Sequence, residues 1–133
     1  MASVLVVDDV PVVRLVIGKI LRRAGHTVRE AGNGLEAMAL INISAPDAVV
    51  TDLWMPESDG LSLIRALKAG FPRVAVIAMT GGSPRDSQEA SLMHANQAGA
   101  AEVLIKPVDK DELVAAVAQA LDHVAGANGE AVS

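Results

Sequence analysis

Five short apolar runs alternate with five helix-like patterns along this chain, and that alternation leaves few ways to fold. The spacing predicts strands at Val4–Asp8, Thr27–Ala31, Asp47–Asp52, Ala75–Met79 and Glu102–Ile105. All but the second are nearly continuous apolar runs, the pattern of strands covered on both faces. Thr27-Val-Arg-Glu-Ala alternates instead, which suits a sheet edge. Between the strands, Pro11–Ala24 repeats apolar residues at Val13, Val16, Ile17, Ile20, Leu21 and Ala24, with Arg14, Lys19, Arg22 and Arg23 opposite. Pro11 fits a first helical turn and Gly25 a C-terminal stop. Leu35–Ile43, Leu61–Ala69, Pro84–Ala98 and Lys110–Val124 follow as helices, Asp59 offering a cap for the third and Asp109-x-x-Glu112 a capping-box start for the fifth. Alternating β and α units predict an α/β fold, a parallel sheet with helices on both faces. Right-handed crossovers then force the strand order to reverse, and ligands of such sheets sit at the carboxyl edge near that reversal.

Four strand ends carry reactive polar groups. Val4–Val7 leads into Asp8 and Asp9, Ala48–Thr51 into Asp52, Val74–Met79 into Thr80, and Val103–Ile105 into Lys106. A parallel sheet brings all of these to one edge. Three carboxylates packed together repel one another and call for a cation. An oxygen-only set without His or Cys ligands selects a hard ion such as Mg²⁺. An ammonium beside a cation is a common way to hold phosphate, so the edge reads as a site for phosphoryl chemistry.

Composition narrows the alternatives. The 133 residues suit one domain with a full core, and 51% hydrophobic with 20% charged residues excludes global disorder. A net charge of −5 without a basic cluster argues against direct nucleic-acid binding. The absence of cysteine excludes disulfides and thiolate metal sites. No signal-peptide pattern and no bilayer-length apolar run occur, which makes a cytoplasmic location without membrane insertion the expectation. Residues 125–133, small and without a period, are expected to be a disordered tail behind a domain spanning 1–124. His26, His94 and His123 fall in different elements and form no ligand pattern.

In order and position, Val6-Val7-Asp8-Asp9, the stretch Thr51-Asp52-Leu53-Trp54-Met55-Pro56 through Asp59-Gly60, Met79-Thr80-Gly81 and Lys106-Pro107 resemble the receiver domain of two-component response regulators, over about residues 3–124. The resemblance implies a flavodoxin-like (βα)5 fold with strand order 2-1-3-4-5 and five helices on both faces. It implies that Asp52 is the phosphoacceptor, that Asp9 and Asp52 bind Mg²⁺ directly, that Asp8 acts largely through water, and that the Trp54 backbone carbonyl is a further ligand. Thr80 and Lys106 would contact phosphoryl oxygens, and the Lys106–Pro107 bond would be cis. The implied partners are a histidine kinase or histidine phosphotransfer protein and a downstream protein target. The chain would be a single-domain switch or phosphate relay, not an enzyme in the ordinary sense, although it assists its own phosphorylation and dephosphorylation. Three positions depart from the family pattern: Val103 replaces a frequent aromatic, Trp54 a polar or small residue, and Gly82 offers no side chain.

Other readings explain less. Gly32-Asn-Gly34-Leu-Glu-Ala37 matches a dinucleotide-binding fingerprint after a strand, with Asp52 beyond it, but leaves Asp8, Asp9, Thr80 and Lys106 without a role. A tight turn, in which Asn-Gly takes positive φ, accounts for the same residues. An aspartyl phosphatase would need an Asp-x-Asp pattern, and Trp54 stands at its second position. A phosphorylation-independent adaptor would have no use for the full acidic set with Thr80 and Lys106.

Overall fold

The computed structural model describes residues 2–55, 60–81 and 88–132. Its strands are β1 (Ser3–Val7), β2 (Thr27–Ala31), β3 (Ala48–Asp52), β4 (Ala75–Thr80) and β5 (Glu102–Ile105). They alternate with α1 (Pro11–Arg23), α2 (Gly34–Ile43), α3 (Gly60–Gly70), α4 (Gln88–Ala98) and α5 (Lys110–Val132). All pairings are parallel in the order β2-β1-β3-β4-β5, as the resemblance implied. The expected start of the fourth helix at Pro84, the proposed cap Asp59 and Gly82 lie outside the described residues.

Side-chain alternation along the central strands sorts the core into two layers. Leu5, Val7, Val49, Val76 and Ala78 face Ala37 and Ile41 of α2, Ile64 and Leu67 of α3, and Ala95 of α4. Val4, Val6, Val50, Ile77 and Met79 face Ile17 and Leu21 of α1 and Leu113 and Val117 of α5. Burial on both sides is why β1, β3 and β4 read as unbroken apolar runs. The alternating β2 is an edge strand, as its pattern required. β5 is the other edge, and despite its apolar sequence it is only partly buried, with Ile105 exposed.

Local signals set most helix limits. Pro11 opens α1, and Gly25 closes it at φ 98°, a left-handed conformation that a side chain would strain. The Asp109 carboxylate accepts from the amides of Asp111 and Glu112 and caps α5. Two expectations need correction. Asn33 does not take positive φ; its backbone is extended at φ −162°, and its side-chain oxygen accepts from the Glu36 amide at 2.8 Å. The Gly32–Ala37 fingerprint is therefore an N-cap, and the helix terminus that a pyrophosphate would need is occupied from within. The fifth helix, expected to end at Val124, runs to Val132. An apolar period reports which residues face a core, so its end at Val124 does not end a helix rich in alanine and free of proline; Gly126 and Gly129 cost about 1 kcal/mol each.

The cap has a measurable value. Asn33→Ala is expected to lower unfolding free energy by about 1 kcal/mol in urea titration, whereas Asn33→Gly should cost only a few tenths.

Candidate functional site

Parallel pairing builds the site. Register between β1 and β3 sets Val7 beside Thr51, so Asp8 and Asp52 leave the sheet side by side. β4 follows with Asp52 beside Met79 and Thr80 one residue further on, while the Lys106 amide donates to the Thr80 carbonyl at 2.9 Å. This is the position where strand order reverses, between β1 and β3. Asp8, Asp9 and Asp52 each offer a carboxylate oxygen within 4.8 Å of the others. Thr80 is fully buried at the end of β4. The Lys106–Pro107 peptide is cis.

The three acids differ in environment. Asp8 is fully buried and held at every polar atom. Its amide donates to the Ala31 carbonyl at 3.2 Å, Oδ1 accepts from the Val10 amide at 2.9 Å, Oδ2 accepts from Lys106 Nζ at 3.1 Å, and its carbonyl accepts from Arg14 Nη1 at 2.6 Å. Asp9 is partly exposed, and among the described residues its carboxylate makes no hydrogen bond or ion pair. Asp52 is 6% exposed, with Oδ1 lying 3.2 Å from Lys106 Nζ and the Trp54 backbone N–H donating to its carboxylate.

Burial is the largest influence on Asp52 and lifts its carboxyl above the ordinary 3.8; Lys106 opposes this, and Asp8 adds to it. Burial also pushes Lys106 down, but the combined pull of Asp52 and Asp8 outweighs it and holds the ammonium above 10.5. One ammonium among three carboxylates leaves negative charge uncompensated. The donor set, all oxygen and close-packed with Asp9 free to coordinate, fits a hard divalent cation.

Expectation and structure agree on which residues meet: Asp8, Asp9, Asp52, Thr80 and Lys106 share one edge. The Trp54 N–H donates to Asp52, and its side chain packs against the core layer of α2, α3 and α4. Two participants were assigned no role from the sequence. Gly60, which reads as a loop marker, packs beneath the site; a Cβ there would collide with the Asp52 carbonyl oxygen and lie 2.8 Å from Leu53 Cα, and its amide donates to the Leu53 carbonyl at 2.9 Å. Arg14, which reads as the polar face of α1, reaches the Asp8 backbone. Of the histidines, His26 accepts from the Ala2 amide at 3.2 Å, a structural contact.

With this geometry in hand, the response regulator receiver domain model matches residues 4–118. The chain belongs to the receiver domain family of response regulators. It is 39% identical over 118 residues to the DNA-binding transcriptional regulator NtrC of Salmonella typhimurium, covering 89% of this chain and 24% of that protein. Among solved structures, the receiver domain of NtrX from Brucella abortus superposes with a TM-score of 0.81 at 32% identity, covering 90% of this chain and 98% of that one. The chemotaxis protein CheY4 of Vibrio cholerae gives 0.79 at 26% identity, again covering 90% and 98%. This receiver thus spans about a quarter of the length of the NtrC relatives it matches. No described helix is long and apolar enough to cross a membrane.

Two outcomes follow from the geometry. Gly60→Ala must displace the Asp52 backbone, and acetyl phosphate labelling of that variant, read by intact mass, is expected to fall at least tenfold, equivalent to about 1.4 kcal/mol of barrier. The second concerns pH. Because the folded Asp52 carboxyl titrates above its unfolded value, the native state holds its proton longer, and stability is lost as pH rises from 3.8 through the folded value. In cation-free buffer Asp52→Asn should therefore melt higher than the parent at pH 7, and the difference should close as pH falls below the carboxylate range.

Proposed function

We propose that the receiver is a phosphate-controlled protein switch with Asp52 as its phosphoacceptor. The observation that carries this reading is Lys106 Nζ standing 3.2 Å from Asp52 Oδ1 and 3.1 Å from Asp8 Oδ2 at the strand-order reversal. An Asp52 carboxylate oxygen attacks the phosphorus of a phosphohistidine in line. The new O–P bond forms as the P–N bond breaks, and the electron pair returns to the imidazole nitrogen, which takes up a proton. Mg²⁺ is the cation of this reading: Asp9, Asp52 and the Trp54 carbonyl would hold it, Asp8 would act largely through water, and the bound ion would offset charge on the phosphoryl oxygens. Lys106 exchanges its contact with Asp52 for one with a phosphoryl oxygen, and the Thr80 hydroxyl donates to another. Asp8, each of whose carboxylate oxygens already accepts a hydrogen bond, suits an indirect role, whereas Asp9, with no such bond among the described residues, is open to coordinate.

The donor reaches Asp52 from a histidine kinase or a histidine phosphotransfer protein. A cavity of about 250 Å³ beside Lys106, lined by Val12, Val13, Val16, Pro107 and Val108, gives a partner helix an apolar seat next to the acceptor. Val12 and Val16 are more than half exposed on its rim. The phosphorylated surface then acts on a downstream protein or passes the phosphoryl group onward, in a cytoplasmic setting without direct nucleic-acid contact by this domain. Val103, half-buried in β5 against the α2–α4 core layer, takes the place of the aromatic that reports phosphorylation in many relatives, so the movement starts from Thr80 without an aromatic at that position.

Incubation with acetyl phosphate and Mg²⁺ is expected to add one phosphoryl group by intact mass. Asp52→Asn, and chelation with EDTA, should both abolish the adduct. An Asp52→Asn variant that still labels would overturn the assignment.

A further inference from the structure

Arg14 connects the end of β1, where Asp8 and Asp9 stand, to the edge strand β2. Its Nη1 donates to the Asp8 carbonyl at 2.6 Å, and its Nε lies 3.5 Å from Glu30 Oε1 on edge strand β2. The side chain is 20% exposed, and Glu30 is steadied from its other side by Arg22 Nη2 at 3.8 Å. The neighbouring Ala31 carbonyl accepts the Asp8 amide directly. The backbone closes the same circuit, because the Arg14 amide donates to the Val10 carbonyl at 3.2 Å while the Val10 amide donates to Asp8 Oδ1. Both ends of the turn from Asp8 to Arg14 are therefore tied to each other and to β2.

The turn needs such a tie. Asp9 has no side-chain hydrogen bond or ion pair among the described residues to hold it near Asp8 and Asp52, and mutual repulsion drives the three carboxylates apart. A peptide group turns as a rigid plane, so fixing the Asp8 carbonyl fixes where the nitrogen and Cα of Asp9 lie, and the Val10 amide bonded to Asp8 Oδ1 limits rotation on the far side of that Cα. Glu30 compensates the guanidinium charge, which makes the influence of Arg14 on the site one of orientation more than of field. A guanidinium can serve a carbonyl and a carboxylate at once in a fixed fork, as an ammonium cannot.

We propose that Arg14, braced by Glu30, is a positioning residue that holds the Asp8–Asp9 turn in its cation-binding form and so sets the affinity of the site for Mg²⁺. The proposal rests on the phosphoacceptor reading. Groups that orient metal ligands without touching the metal typically contribute ten- to a hundredfold in affinity, and Arg14→Met is expected to weaken Mg²⁺ binding roughly tenfold. Calorimetric titration of the full chain with MgCl₂ measures this without reference to activity. In acetyl phosphate labelling the same variant should need more Mg²⁺ to reach half its maximal rate, while the rate at saturating Mg²⁺ returns to the parent's. Arg14→Lys should fall between parent and Arg14→Met. Glu30→Gln should weaken binding by itself and add little in the Arg14→Met background, since both act through one contact. Parent-like Mg²⁺ affinity in a folded Arg14→Met, or a lowered rate that saturating Mg²⁺ does not restore, would overturn the proposal. If Arg14→Met does not fold, Glu30→Gln decides it, with unchanged affinity as the overturning result. A parent chain that binds no Mg²⁺ would overturn the phosphoacceptor reading itself, whereas a parent that binds beside an unchanged Arg14→Met would overturn only the role of Arg14.

Discussion

Parallel pairing of β1 with β3 forces like charges together, and much of the structure answers that constraint. With Val7 beside Thr51, Asp8 and Asp52 must emerge as neighbours, and Asp9 follows at the next residue. Lys106 meets both buried acids from the end of β5, two strands away, which requires β4 and β5 to stop in register with β3. The ammonium does not neutralise the cluster, and the Asp52 carboxyl stays above its ordinary range. A fold that keeps such a cluster holds an electrostatic cost in reserve, which a bound cation can relieve.

The two faces of the sheet divide the work. α1 and α5 close one side and bring Val12, Val16 and Pro107 around an apolar cavity beside Lys106. α2, α3 and α4 close the other, where Gly60 at the start of α3 lets that helix approach the Asp52 backbone closely enough to exclude any side chain between them. Asp52 is thus backed on one side by a helix start that fixes its backbone, while on the other the apolar cavity opens beside its ion-pair partner Lys106.

The architecture was legible in sequence because strands buried on both faces must be apolar throughout, and α/β alternation admits few topologies. Asp8, Asp9, Asp52, Thr80 and Lys106 were legible for a related reason, since charge at the end of a buried strand is costly without a purpose. Asn33-Gly34 was misjudged because the same residue types serve turns and helix caps, and only the backbone conformation separates them. The length of α5 escaped because periodicity records which residues face a core, whereas a helix is set by its backbone and can run on past the last such residue.

The amino-acid sequence alone determined the number, order and type of the elements and the chemistry at the strand ends, because hydrophobic periodicity and residue type are local properties. Only the tertiary structure decided how that chemistry is supported. Arg14 lies on the polar face of its helix, and nothing in its surroundings in sequence distinguishes it from Arg22 or Arg23; it meets the Asp8 carbonyl only once the chain has turned from β1 into α1. Gly60 resembles any turn glycine until α3 is laid against Asp52. Lys106 stands 98 residues from Asp8 along the chain and 3.1 Å from it in space. Distance along a chain carries no information about such contacts, and the sheet that creates them exists only once all five strands have paired.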